Sequence, residues 1–236
     1  MFRRVFFILP AISLALMSFQ TGDLVKTKSG SGGVPIFSDG FESGNFAAWS
    51  GSVRDAGDLA VTSQAALEGT RGMRARIDDN AAIFVQDNTP NNVNVYDVHF
   101  HFDPHSIVMA NLNSHTIFVG TDFQGTIVQA LRVELRFSNG AYQIRAGSRN
   151  DNLTWTNTAW FTIGDAEHQI EVEWDAATPG ETDGKLKLKI DDVVRANRQG
   201  LDNNNFRIDR VRLGALGGID SGTRGIYYFD QFESFR

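Results

Sequence analysis

The 236-residue chain has no cysteine. Disulfides, thiolate metal sites and cysteine nucleophiles are therefore excluded, and stability has to come from a large core or from bound ions. Long apolar runs are almost missing too. The only one, Val5 to Phe19, is short of the ~20 residues that span a bilayer as a helix. It follows the basic start Met1-Phe2-Arg3-Arg4, so residues 1–20 read as a signal peptide or an uncleaved N-terminal anchor. A secreted or cell-surface location follows, with no membrane insertion beyond that anchor. Residues 21–35 are rich in Gly, Ser, Lys and Thr without an apolar period and read as a flexible linker. Residues 36–236 then form one domain, long enough for a single well-packed core.

Positive charge is also in short supply. Residues 1–30 hold Arg3, Arg4, Lys26, Lys28 and Asp23; setting them aside leaves 18 basic and 27 acidic residues, a formal charge of −9. Such a body argues against charge-driven binding of nucleic acid or anionic membrane and suits a protein that binds cations.

Helical periodicity is missing, whereas strict alternation recurs. VYDVHFHFD (95–103) puts Val98, Phe100 and Phe102 on one face and Asp97, His99, His101 and Asp103 on the other. LRVELRF (131–137) turns Arg132, Glu134 and Arg136 outward, HQIEVEW (168–174) turns Glu171 and Glu173 outward, and KLKLKI (185–190) carries an outward lysine stripe. Each is a half-buried strand. Ser138-Asn139-Gly140 predicts a tight hairpin, because Asn-Gly tolerates positive φ angles. Only SQAALEG (63–69) suggests a helical turn. Twelve to fourteen strands are expected, in an all-β, two-sheet antiparallel jelly-roll sandwich.

Several stretches resemble a known family. HQIEVEWDAATPGETDGKLKLKIDDVV (168–194) resembles the laminin-G-like segment of concanavalin A-like lectin and glucanase jelly rolls, with Asp191-Asp192 where Asp-Gly is usual. The opening DGFESGNFAAWS and the closing RIDRVRLGALGGIDSGTRGIYYFDQFESFR are similar to the first strand and the last two strands of such exported bacterial domains. The resemblance implies the fold. It leaves function among lectins, glycosidases, lyases and adhesion modules.

Asp-x-Phe-Glu-Ser occurs twice, at Asp39–Ser43 and at Asp230–Ser234. In jelly rolls of this class the first and last strands commonly pair, which would bury Phe41 and Phe232. Asp39, Glu42, Asp230 and Glu233 could then hold a structural calcium ion, which needs six to eight oxygens; solvated strand ends are the alternative. His99 and His101 share a strand face and could contact a sugar or, with His105 and His115, a metal, or could be exposed surface histidines. Glu171 and Glu173 share a face as glucanase carboxylates do, but lack that family's Glu-x-Asp-x-x-Glu run. There is no Gln-Ile-His-type strand like that of alginate-lyase jelly rolls. Trp155 lies in a polar stretch with Asn150, Asp151, Asn152 and Asn157, where an aromatic ring could stack on a sugar and amides could bond its hydroxyls. The expectation is an exported, non-catalytic module binding a glycan or polysaccharide. A structural or adhesive surface protein and a polysaccharide hydrolase or lyase are the alternatives.

Overall fold

The computed structural model describes residues 33–123 and 126–236. Residues 1–20, expected to be a signal peptide or anchor, and most of the expected linker lie outside the described residues. Backbone pairing begins where the linker was expected to end: the amides and carbonyls of Val34 and Arg236 bond each other, at 2.7 and 2.9 Å.

Sixteen strands build the described residues, and no α-helix occurs among them. They are β1 (Pro35–Asp39), β2 (Gly51–Val53), β3 (Leu59–Thr62), β4 (Gly72–Ile77), β5 (Ile83–Asp87), β6 (Val95–Asp103), β7 (Ser114–Phe123) and β8 (Ile127–Ser138). There follow β9 (Ala141–Arg149), β10 (Trp155–Asn157), β11 (Phe161–Ile163), β12 (His168–Asp175), β13 (Gly184–Ile190), β14 (Val193–Leu201), β15 (Arg210–Ala215) and β16 (Gly225–Phe235). Ser63–Ala65 makes a single 3-10 turn within the stretch expected to be helical.

The strands form two antiparallel sheets packed as a sandwich of jelly-roll type. Sheet I runs β14-β13-β12-β6-β16-β4-β3, with β1 added beside β16, and sheet II runs β10-β9-β8-β7-β15-β5-β2, with β11 beside β9. Alternation decides what fills the space between them. Val98, Phe100 and Phe102 of β6, Ile170, Val172 and Trp174 of β12, and Phe229 and Phe232 of β16 point inward from sheet I and are buried. Phe118, Leu131, Val133, Leu135 and Ile144 meet them from sheet II. Phe100 lies 6.0 Å from both Phe118 and Phe229, so an aromatic block joins the sheets at their centre. Burying each such ring contributes about 2–3 kcal/mol. The indole of Trp174 donates to the Ser148 hydroxyl at 3.0 Å, so this core group is not left without a partner.

Turn chemistry sets the hairpin registers. Between β8 and β9, Asn139 and Gly140 have φ of 52° and 82°, the mirror-image turn that follows the twist of the strands. Asp191 and Asp192 make the same kind of two-residue turn between β13 and β14, with φ of 55° and 61°. The usual Asp-Gly is thus replaced without a change of turn, at the cost of a left-handed aspartate in the second position.

The repeated Asp-x-Phe-Glu-Ser lies at a seam, but only the second copy is strand throughout: the first gives Asp39 to β1, and its Phe41, Glu42 and Ser43 follow in a turn. β1 pairs with the C-terminal half of β16, Asp39 opposite Phe232 and Phe37 opposite Ser234. Phe41 and Phe232 are both fully buried, and Trp49 packs between them and Phe37.

Candidate functional site

The outward faces of the two sheets carry opposite solutions to the same problem of charge. On sheet I the lysine stripe of β13 stands opposite the carboxylates of β12. Lys189 reaches Glu171 at 2.5 Å and Glu173 at 2.8 Å, Lys187 binds Glu173, and Lys185 lies 3.3 Å from Asp175. Three cations meet three anions, and the face is balanced. Burial alone would raise the Glu173 carboxyl, but the bonds from Lys187 and Lys189 outweigh it and hold it below the ordinary range. It is therefore unsuited to act as the protonated acid of a glycosidase pair.

Sheet II is not balanced. Strand register turns Arg132, Glu134 and Arg136 of β8 outward beside Gln143, Arg145 and Gly147 of β9. Arg149 of β9 stands opposite Trp155 of β10. Across β7, Arg210 and Arg212 of β15 face the same way. Six guanidinium groups thus share a surface with one carboxylate, that of Glu134. Arg145 Nε donates to Glu134 Oε2 at 2.7 Å, and Arg132 Nε lies 3.1 Å from the same oxygen.

Aromatic rings hold these arginines flat. Arg132 and Arg149 lie 4.0 and 5.1 Å from the ring centre of Trp155. Arg136 and Arg145 each lie 4.3 Å from Trp160, in the connection between β10 and β11. On the far side of β7, Arg210 stacks on Phe123 at 4.2 Å and Arg212 on Phe84 at 4.4 Å. Amide oxygens fix the remaining freedom: Gln143 accepts from Arg136 and Gln86 accepts from Arg212. Between the two arginine groups, β7 presents Ser114, Thr116, Val119 and Thr121, a low uncharged floor. Gly147 leaves room for this packing, because a Cβ there would stand 2.4 Å from Asn157 Oδ1 and 3.3 Å from Trp155 Cε3.

The crowding registers in the ionisation of the arginines. Burial and then the neighbouring cations push Arg132, Arg136 and Arg212 down from the usual arginine value, with Glu134 opposing at Arg132. The groups remain charged at any ordinary pH. A surface of stacked, mutually repelling guanidinia offers hydrogen-bond forks suited to carboxylates and rings suited to sugar C–H faces.

The expected site residues are divided among several places. Trp155 and Asn157 stand together on β10, within the arginine face. Asn150, Asp151 and Asn152 shape the loop before it: Asn150 bonds Thr154 and Thr156, Asp151 accepts from the Asn205 amide, and Asn152 accepts from Thr154. His99 and His101 lie on β6 of sheet I, on the opposite surface from Trp155. His99 is buried, its Nε2 2.6 Å from Glu233, and His101 lies 2.7 Å from Glu167. The other seam carboxylates also have protein partners. Asp39 accepts from the Phe41 amide and the Trp49 indole, Asp230 from three backbone amides, and Glu42 from Thr70 and Arg71. Burial raises Asp39 and Asp230 despite these bonds, whereas the Thr70 and Arg71 contacts lower Glu42. Among the described residues no three His, Asp or Glu side chains converge as a metal site.

The arginine face itself went unnoticed in the sequence. Its signal is arginines an even number of residues apart on three strands, at 132 and 136, 145 and 149, and 210 and 212. The five histidines and four tyrosines all lie elsewhere. His115, Tyr96 and Tyr227 are in the core, and the Tyr142 hydroxyl donates to the Ile107 carbonyl. His105 stacks on Tyr228 of sheet I, and His168 binds Asp191.

No family model matches the chain, and no curated protein matches it. Solved structures do. An endo-beta-1,4-glucuronan lyase from the fungus Trichoderma reesei aligns with a TM-score of 0.64 at 13% identity, over 86% of this chain and 95% of that one. A PL-14 alginate lyase from Aplysia kurodai aligns at 0.58 and 12% identity, over 80% and 91%. A carbohydrate esterase from a Shiga toxin-encoding bacteriophage aligns at 0.59 and 12% identity, over 86% and 98%. At such identities the likeness concerns the fold.

Proposed function

We propose that the chain is a non-catalytic glycan-binding module and that its ligand is an acidic polysaccharide held on the outward face of sheet II. The observation that carries this reading is the set of six stacked arginines answered by a single carboxylate, on a body that is otherwise strongly acidic. Like charges in excess of their counter-charge on a rigid sheet are costly in the absence of an anion, so their presence fits a surface that takes one. Uronate chains match it in both respects, presenting carboxylates at intervals and apolar ring faces between them. Glucuronan and alginate, named for two of the fold neighbours, are polymers of this kind. The export segment read from the sequence would bring the domain to where such polymers are found.

Cleavage is the second reading, favoured by the lyases among the fold neighbours. Elimination needs a base to remove a ring proton, such as a tyrosine, histidine or lysine beside the arginines. Among the described residues this face carries none of the three. β9 reads Gln143-Ile144-Arg145, an arginine where a Gln-Ile-His strand has its histidine. The one carboxylate of the face, Glu134, is already hydrogen-bonded to Arg145.

The test is affinity electrophoresis of the full chain in gels containing alginate, polyglucuronate or a neutral glucan, with the ultraviolet absorbance of unsaturated products followed in parallel. Retardation by the acidic polymers alone, lessening as salt is raised, with no absorbance gain, is expected. Equal retardation by the neutral glucan, or none by any polymer, would remove the reading, and a growing absorbance would replace it with the lyase.

A further inference from the structure

We infer that Glu134 is a built-in competitor for the ligand's carboxylates and so sets how tightly the arginine face holds an acidic chain, an inference that rests on the reading above. Glu134 is the only acidic side chain among the outward residues of β7, β8, β9 and β15 in the arginine face, and it sits at the centre, with Thr116 on one neighbouring strand and Arg145 on the other. Its side chain is 9% exposed, and one oxygen, Oε2, takes the Nε contacts of both Arg132 and Arg145. That is the place and chemistry of a ligand carboxylate, supplied by the protein itself.

Two consequences follow from the donor inventory of arginine. Because Arg145 donates to Glu134 through Nε, its terminal nitrogens are left as the groups with which a ligand carboxylate can form a fork, whereas an Arg132 terminal nitrogen already donates to Asn157 Oδ1 at 3.3 Å. A ligand must also approach against the Glu134 charge, which subtracts one of six positive charges from the face. Alone, the carboxylate does not neutralise the cluster. It lowers the attraction and thereby keeps binding reversible, which favours chains whose many carboxylates act together over single small anions.

The test is Glu134→Gln. The amide oxygen can still accept from Arg145 beside Arg132, so the arginines keep their support while the charge is lost. Isothermal titration of the full chain with alginate at several salt concentrations compares variant and wild type. Binding about three- to fivefold tighter at low salt is expected, the size of one partly exposed ion pair, with a steeper fall as salt rises. Equal or weaker binding by a variant that melts like the wild type overturns the inference and makes Glu134 a positioning residue for the arginines. Should Glu134→Gln not fold, Glu134→Thr, a good strand former, is measured in its place. Failure of both to fold assigns the residue to the framework and overturns the inference too. Absence of alginate binding by the wild type would instead sink the underlying reading.

Discussion

The folded chain should lose stability in mild acid through one histidine. His115 of β7 points into the core opposite Leu135, 1% exposed, its ring stacked 5.8 Å from Tyr227 and its Nε2 3.3 Å from the Tyr227 hydroxyl. Burial pushes its pKa down from 6.5 to about 4, with Asp220 opposing only weakly. The unfolded chain therefore takes up a proton near pH 6.5 that the folded chain refuses until near pH 4. Since the unfolded state binds more protons in this window, stability rises with pH there. The contribution is complete above about pH 7 and is lost as pH falls from about 6.5 towards 4. At 1.36 kcal/mol per pKa unit, a depression of about 2.5 units amounts to about 3 kcal/mol. That is a large share of the 5–15 kcal/mol typical of a domain. The raised carboxyls of Asp39 and Asp230 act in the opposite sense over the lower part of the range, so the wild-type curve alone is a mixture. The clean measurement is urea unfolding of wild type and His115→Leu at a series of pH values. Their difference in unfolding free energy should be flat above pH 7 and shift by about 3 kcal/mol in favour of the variant by pH 4. A difference that stays constant from pH 7 to 4 would refute the reasoning, because it would mean that His115 titrates alike in both states.

Three other substitutions have defined outcomes. Asp192→Gly removes a left-handed aspartate from the β13–β14 turn and should stabilise by about 0.5 kcal/mol, the relief exceeding the added freedom of the unfolded chain; calorimetry should show melting raised by about 1–2 °C. Gly184→Ala would place a Cβ 2.0 Å from Asn203 Oδ1, which accepts from the Ala177 amide, and should cost about 2–4 kcal/mol in urea unfolding. Trp155→Ala removes the ring that orders Arg132 and Arg149, and titration with alginate should show about tenfold weaker binding with near-normal melting.

Local pattern and long-range pairing account for what the sequence revealed and what it hid. Alternation marked β6 at its true ends, 95–103, and marked β12 and β13 to within one residue, because a half-buried strand writes its own period. Asn139-Gly140 marked the β8–β9 turn, and the repeated Asp-x-Phe-Glu-Ser marked the end of β1 and the length of β16, strands that do pair, although its first copy runs on into a turn. Three-residue strands such as β2, β10 and β11 are too short to show a period, which is why sixteen strands stand where twelve to fourteen were expected. The arginine face was hidden for a different reason. Arg132 and Arg136 were recognisably outward, but only the order of sheet II brings Arg145, Arg149, Arg210 and Arg212 beside them. A charge summed over the whole body also concealed its segregation, the acidic excess lying away from a basic surface. The lysine stripe shows the converse case, a local signal cancelled by the strand next to it. His99 was misjudged as surface in one reading because Glu233, 134 residues away, closes over it. Asn150, Asp151 and Asn152 have amide and carboxylate groups suited to sugars, but the loop that presents Trp155 consumes them.

The central claim is spatial: the uncompensated arginines of sheet II bind the acidic chain, and the compensated lysines of sheet I do not. Titration of alginate into two double variants tests it most directly, Arg132→Gln with Arg145→Gln on one sheet and Lys185→Gln with Lys187→Gln on the other. The account predicts at least tenfold weaker binding for the arginine pair and unchanged binding for the lysine pair. Equal losses in both, or a loss confined to the lysine variant, would contradict it.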